Sequence, residues 1–199
     1  MKLYMKPTSP YARKVRVVAK EVGLGDRVQM EQPPLREAGN AFWKLNPTGM
    51  IPALVTEAGE LVVESDVICE YFDALGNGIH LYPAQGERRW RALKLNAFGG
   101  AVMDAYVNRV RESWRPAESQ DKKALALEKE RIENILSALE VDPGLIADPM
   151  NIGHVTLACA LSVGDRRFPD EAWREGRPAL AAWYEAFNAR ASMRETYAE

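Results

Sequence analysis

Past residue 86 the chain holds no run that reads as a β-strand, whereas before residue 77 strand-like and helical runs alternate. That change of texture constrains the fold more than any motif. One half must lay helices on a small sheet, and the other must bury helices against one another. The loop NGIHLYPAQG (Asn77 to Gly86) separates them. The chain therefore reads as an α/β domain over 1–77 and an all-α domain over 86–199.

In the first half KLYM is strand-like, and KPTSP breaks it with two prolines and two hydroxyl residues. Pro10 suits a first helical turn, which puts Ser9 at or beside the N-cap. Val15, Val18, Ala19 and Val22 then recur at helical spacing. RVQME reads as a strand and LREAGNAFWKLNP as a short helix closed by Pro47. IPALV and ELVV flank a turn at Gly59, and ESDVICEYFDALG is a helix ended by Gly76. The order is βαβαββα. In the second half the stretch RRWRALKLNAFGGAVMDAYVNRVRESWR is one long helix. Its Gly99–Gly100 pair implies either a bend or the close approach of another backbone. RIENILSAL and RPALAAWYEAFNAR carry apolar stripes. NIGHVTLACALSV is apolar almost throughout, as befits a buried central helix.

Bulk properties remove several functions. A hydrophobic share of 47% is enough to bury a sizeable core, and a net charge of −2 gives no electrostatic case for nucleic acid or an anionic membrane. The longest apolar runs fall short of the ~20 residues that cross a bilayer. Charged residues interrupt the N-terminus too often for a signal peptide. Cys69 and Cys159 lie far apart without a CxxC, which fits a reducing cytoplasm. His80 and His154 make no metal-binding spacing.

Three places carry chemistry, and each has a plain alternative. Ser9 is either a helix cap or part of an anion site at a helix N-terminus. Pro52 in MIPAL is either a trans proline opening an edge strand or a cis proline. Glu64–Ser65 is either an N-cap or a site for a group bearing both an ammonium and a carboxylate.

In this order and spacing, TSPYARKVR, MIPAL and ESDVICEYF resemble the glutathione transferase superfamily. The resemblance spans nearly the whole chain and is strongest to bacterial members with a serine in the first loop. It implies a thioredoxin-like N-terminal domain followed by an all-helical C-terminal domain that forms the hydrophobic substrate site. Thioredoxin-like folds often carry CxxC where this chain has SPYA, so the thiol comes from the ligand. The resemblance makes glutathione the co-substrate, with no metal, and places Ser9 beside its sulfur as hydrogen-bond donor. Tyr11 is the second candidate, unless its ring packs on the loop or lines the pocket. Ile51, before a cis Pro52, pairs its backbone with the cysteinyl portion, and Glu64 and Ser65 take the γ-glutamyl end. Met103, Tyr106, Val110 and Arg111 face the second substrate or pack between helices. Asp104 reaches the ligand of a partner subunit.

Two departures stand out. Met50 occupies a position where many relatives have lysine, leaving Arg36 or Lys44 as substitutes. Asn151 and His154 replace the family's Ser/Thr-x-x-Asp capping box, with His154 able to complete it only as neutral imidazole. The implied activity is attack of glutathione thiolate on small hydrophobic electrophiles by a cytoplasmic homodimer without nucleic-acid or membrane partners. The alternatives are glutathione-dependent peroxide reduction or isomerisation, and a non-catalytic carrier or regulatory protein on the same fold.

Overall fold

The computed structural model describes residues 1–35 and 39–197. Two compact units emerge: Met1–Tyr82 joined by the chain from Ala191 onward, and Pro83–Arg190. The sequence places residues 86–199 in the second domain, but residues 191–197 pack on the first unit.

The first unit follows the expected order. Its elements are β1 (Lys2–Tyr4), α1 (Pro10–Glu21), β2 (Gln29–Glu31), α2 (Phe42–Leu45), β3 (Ala53–Val55), β4 (Leu61–Val63) and α3 (Ser65–Leu75). β2 is shorter than RVQME suggests, because Arg27 belongs to a 3-10 turn. The short helix spans only Phe42–Leu45 among the described residues; Arg36 lies outside them. The sheet runs β2-β1-β3-β4, with β2 parallel to β1 and the other pairs antiparallel. Leu3 and Leu54 from the sheet, Val15 and Val18 from α1, and Ile68 and Phe72 from α3 are fully buried.

α1 is buried on more than its apolar stripe, since Arg13 and Lys14 are buried as well. Arg13 faces α9 (Ala191–Glu195). It donates to the Met193 carbonyl at 2.9 Å, and its guanidinium lies 5.1 Å from the Tyr197 ring centre. Lys20 pairs with Glu195 at 2.6 Å, and Ser192 donates to Glu21 at 2.5 Å. Buried cationic side chains persist only with such partners.

The second unit contains α4 (Gly86–Glu112), α5 (Lys122–Val141), α6 (Gly144–Ala147), α7 (Ile152–Arg167) and α8 (Pro178–Asn188). Every residue of α7 from Ile152 to Gly164 is buried, as its composition foretold. Glycines let α4 and α7 come together. A Cβ on Gly99 would stand 2.7 Å from the Leu157 nitrogen, and one on Gly153 would stand 2.5 Å from Leu95 Cβ. Close approach, rather than a break, is what Gly99 provides, and α4 runs as one helix across it.

α7 begins with the altered capping box intact. The Gly153 N–H donates to Asn151 Oδ1 at 2.9 Å, and the Asn151 N–H donates to His154 Nδ1 at 3.2 Å. Nε2 lies 3.3 Å from the Ile146 carbonyl, so the neutral Nε2–H tautomer satisfies both ring nitrogens. Burial holds the His154 pKa below its ordinary 6.5, against the upward pull of that carbonyl. A depressed pKa means that the unfolded chain takes up a proton that the folded imidazole refuses. Stability contributed by His154 is therefore full above pH 6.5 and is lost as pH falls toward the folded pKa. Urea midpoints measured from pH 8 to 5 should show this decline, and His154→Gln should flatten it while costing about 1 kcal/mol at pH 8.

Candidate active site

The strand register brings the chemistry together. Tyr4 at the end of β1 pairs with Ala53 at the start of β3, and Ala53 pairs with Val63 at the end of β4. The segment leading from β1 to Ser9, the Ile51–Pro52 dipeptide entering β3, and Glu64–Ser65 leaving β4 thus all lie at one end of the sheet. Two helices start there, α1 at Pro10 and α3 at Ser65. Their N-terminal dipoles favour negative charge at that end.

Ser9 is the N-cap of α1, and its Oγ accepts from the Ala12 N–H at 3.3 Å. Accepting that bond uses an oxygen lone pair and leaves the O–H as a donor. Capping and anion binding are therefore compatible in one side chain. Tyr11, the second residue of α1, is half-buried.

The Ile51–Pro52 peptide is cis. The turn before it is held by two residues that sequence reasoning passed over. Buried Asn46 donates from Nδ2 to the Met50 carbonyl at 2.8 Å and accepts from the Thr48 N–H at 3.0 Å. Thr48 Oγ1 in turn accepts from the Met50 N–H at 3.2 Å. Asn-Pro-Thr-Gly was the available signal, since asparagine side chains bond the backbone two residues on. Both backbone groups of Met50 are thereby engaged, while its side chain is exposed.

Glu64 is the only non-glycine among the described residues with positive φ, at 72°. Such a backbone is costly in a residue with a Cβ and clusters at functional sites. Its exposed carboxylate accepts from the Ser65 N–H at 2.8 Å and from Ser65 Oγ at 3.2 Å, while Ser65 itself is buried.

The remaining candidates lie on α4, in the second unit. Met103, Tyr106 and Val110 share one stripe of that helix. Met103 and Tyr106 are buried and Val110 is half-buried, whereas Asp104 and Arg111 are exposed. The Tyr106 ring stacks on Phe168 with centres 5.6 Å apart, and burial pushes its phenol pKa up. Helix packing thus occupies Tyr106. Cys69 and Cys159 are both buried. No helix among the described residues is long and apolar enough to cross a membrane.

The family model for the glutathione S-transferase N-terminal domain matches residues 8–75, and that for the C-terminal domain matches residues 122–186. An uncharacterised GST-like protein of Escherichia coli K12, YibF, is 33% identical over 98% of both chains. The chain belongs to the glutathione S-transferase superfamily. Within that superfamily, a family member from Pseudomonas fluorescens Pf-5 solved with bound glutathione has a TM-score of 0.93 at 36% identity. That alignment covers 100% of this chain and 98% of the other. A glutathione S-transferase from Methylobacillus flagellatus with glutathione bound has a TM-score of 0.91 at 31% identity, over 100% and 99% of the two chains. Glutathione S-transferase L1 of Arabidopsis thaliana is 26% identical over 98% of this chain and 81% of its own length. The thioredoxin-like and helical halves expected of a glutathione S-transferase are thus both present, and Ser9, Ile51, Pro52, Glu64 and Ser65 all fall within the N-terminal match.

Proposed function

We propose that this protein binds glutathione in its first unit and joins the glutathione thiolate to small hydrophobic electrophiles. The observation that carries this reading is the convergence of the Ser9, Ile51–Pro52 and Glu64–Ser65 segments, with two helix N-termini, at one end of the sheet. Ser9 donates its O–H to the sulfur, stabilising the thiolate over the thiol. Ile51 offers its N–H and C=O to the cysteinyl backbone as an added strand would. The Glu64 carboxylate takes the γ-glutamyl ammonium and, in turning to it, releases the Ser65 N–H and O–H that it otherwise accepts from, so that these take the neighbouring carboxylate. The sulfur lone pair then forms a bond to the electrophilic carbon, and the displaced pair leaves with a leaving group or moves onto a conjugated acceptor.

On α4, Val110 and Arg111 retain surface for contact with the electrophile, whereas Met103 and Tyr106 are buried. The protein acts as a cytoplasmic homodimer, in which Asp104 contributes to the partner's ligand. Relatives solved with glutathione bound support the co-substrate.

Calorimetric titration with glutathione, followed by turnover assays on an aryl halide, an epoxide, an enone and a hydroperoxide, tests the proposal. Saturable binding with conjugation of at least one carbon electrophile is the expected result. Peroxide turnover alone would replace transfer by reduction. Binding without turnover would favour a carrier, and absence of binding at millimolar glutathione would sink the reading.

A further inference from the structure

If glutathione binds as proposed, the surroundings of Ser65 pose an electrostatic problem. The γ-glutamyl carboxylate must approach a serine flanked in sequence by two acids, Glu64 and Asp66. Glu64 has a use, because it faces the ammonium. Asp66, in the first turn of α3, suits the helix dipole, yet its negative charge opposes the incoming anion. The fold places a cation against it. Lys14 of α1 is buried, and its ammonium forms an ion pair with Asp66 Oδ1. Lys14 stands five residues beyond Ser9, about 7 Å along the helix axis, and helical side chains lean toward the N-terminus. Asp66 is the second residue of α3, and its carbonyl accepts from the Tyr82 hydroxyl at 3.1 Å. The pair thus ties the second turn of α1, the helix that Ser9 caps, to the first turn of α3, where Ser65 stands.

We infer that Lys14 is a positioning residue of the glutathione site, whose ammonium neutralises Asp66 and leaves the start of α3 receptive to an anion. A tie needed only for shape would be broken equally by removing either partner. A charge-balancing partner gives opposite signs. Lys14→Met keeps the side-chain volume and takes that ammonium away from Asp66, so glutathione affinity should fall by roughly tenfold. The deficit should shrink in high salt, because the side chain of Asp66 is half exposed. Lys14→Met/Asp66→Asn removes both charges and should recover most of the loss. Asp66→Asn alone should bind glutathione at least as tightly as the parent.

Calorimetric Kd values for the four proteins at low and high salt, with thermal melts to verify folding, decide the matter. Should Asp66→Asn fail to fold, the single Lys14 variant and the double variant still give the answer. A double variant as weak as Lys14→Met, or a Lys14→Met protein that binds like the parent, would overturn the inference alone. Failure of the parent to bind would overturn the glutathione reading and this inference together.

Discussion

Gly99→Ala should destabilise the protein by about 3 kcal/mol or more, while Gly100→Ala, one residue along, should stabilise it by up to about 1 kcal/mol. The contrast follows from what each new methyl meets. At Gly99 it would stand 2.7 Å from the Leu157 nitrogen and 3.1 Å from the Thr156 carbonyl carbon, both in the backbone of α7. Backbone atoms inside a buried helix cannot swing aside as a side-chain end can, so the two helices must separate. Separation would loosen contacts along both helices, including those of Leu95, Val102 and Val155, all fully buried. At Gly100 the methyl meets nothing within 4 Å, and alanine simply restricts the unfolded chain. Thermal melts followed by circular dichroism should show the first variant about 10 °C below the parent and the second slightly above it. Equal and small effects at the two positions would mean that the helices do not approach as described.

Ser9→Ala should return the thiol of bound glutathione to its ordinary pKa near ~8.5. If the parent lowers that pKa by roughly two units, thiolate at pH 7 rises about 25-fold from ~3%, and the variant forfeits this. The catalytic loss from activation is smaller. A Brønsted slope of 0.4–0.5 makes the more stable thiolate roughly 6- to 10-fold less nucleophilic, so the net gain is only about 3-fold. Any fall in kcat/KM beyond that measures how well Ser9 and its neighbours place the sulfur against the electrophile. Ultraviolet thiolate absorbance from pH 5 to 9 separates the two contributions. The lost cap should cost about 1 kcal/mol of stability, visible in a melt without ligand. An unshifted thiol in the parent would remove Ser9 as activator and turn attention to Tyr11.

Local chemistry was legible in the sequence. Ser9–Pro10 read as a capped helix start and is one, and the run from Ile152 to Gly164 read as buried and is. Asn151 and His154 read as a rebuilt capping box, and both bonds are made. What local pattern could not show were contacts set by distant partners. Arg13 and Lys14 interrupt an apolar stripe and look solvated, yet they are buried because Met193, Thr196 and Asp66 meet them far along the chain. The left-handed backbone of Glu64 follows from how β4 must turn into α3, which no propensity for glutamate foretells. The site itself was readable as three separate candidates. The family resemblance grouped them around one ligand, and the register of Tyr4, Ala53 and Val63 brings their segments to one end of the sheet.

The docking of residues 191–197 on α1 bears on how the protein is made. Synthesis delivers the first sheet and its helices early, with the Arg13 guanidinium waiting for a cover that emerges some 180 residues later. Most domains can finish folding as they leave the ribosome in sequence order. Here the half begun first cannot be completed until residues 191–197 arrive, at the end of synthesis rather than at its start. A chain cut back to Arg190 should therefore keep a protease-resistant helical unit while its N-terminal half is readily cut.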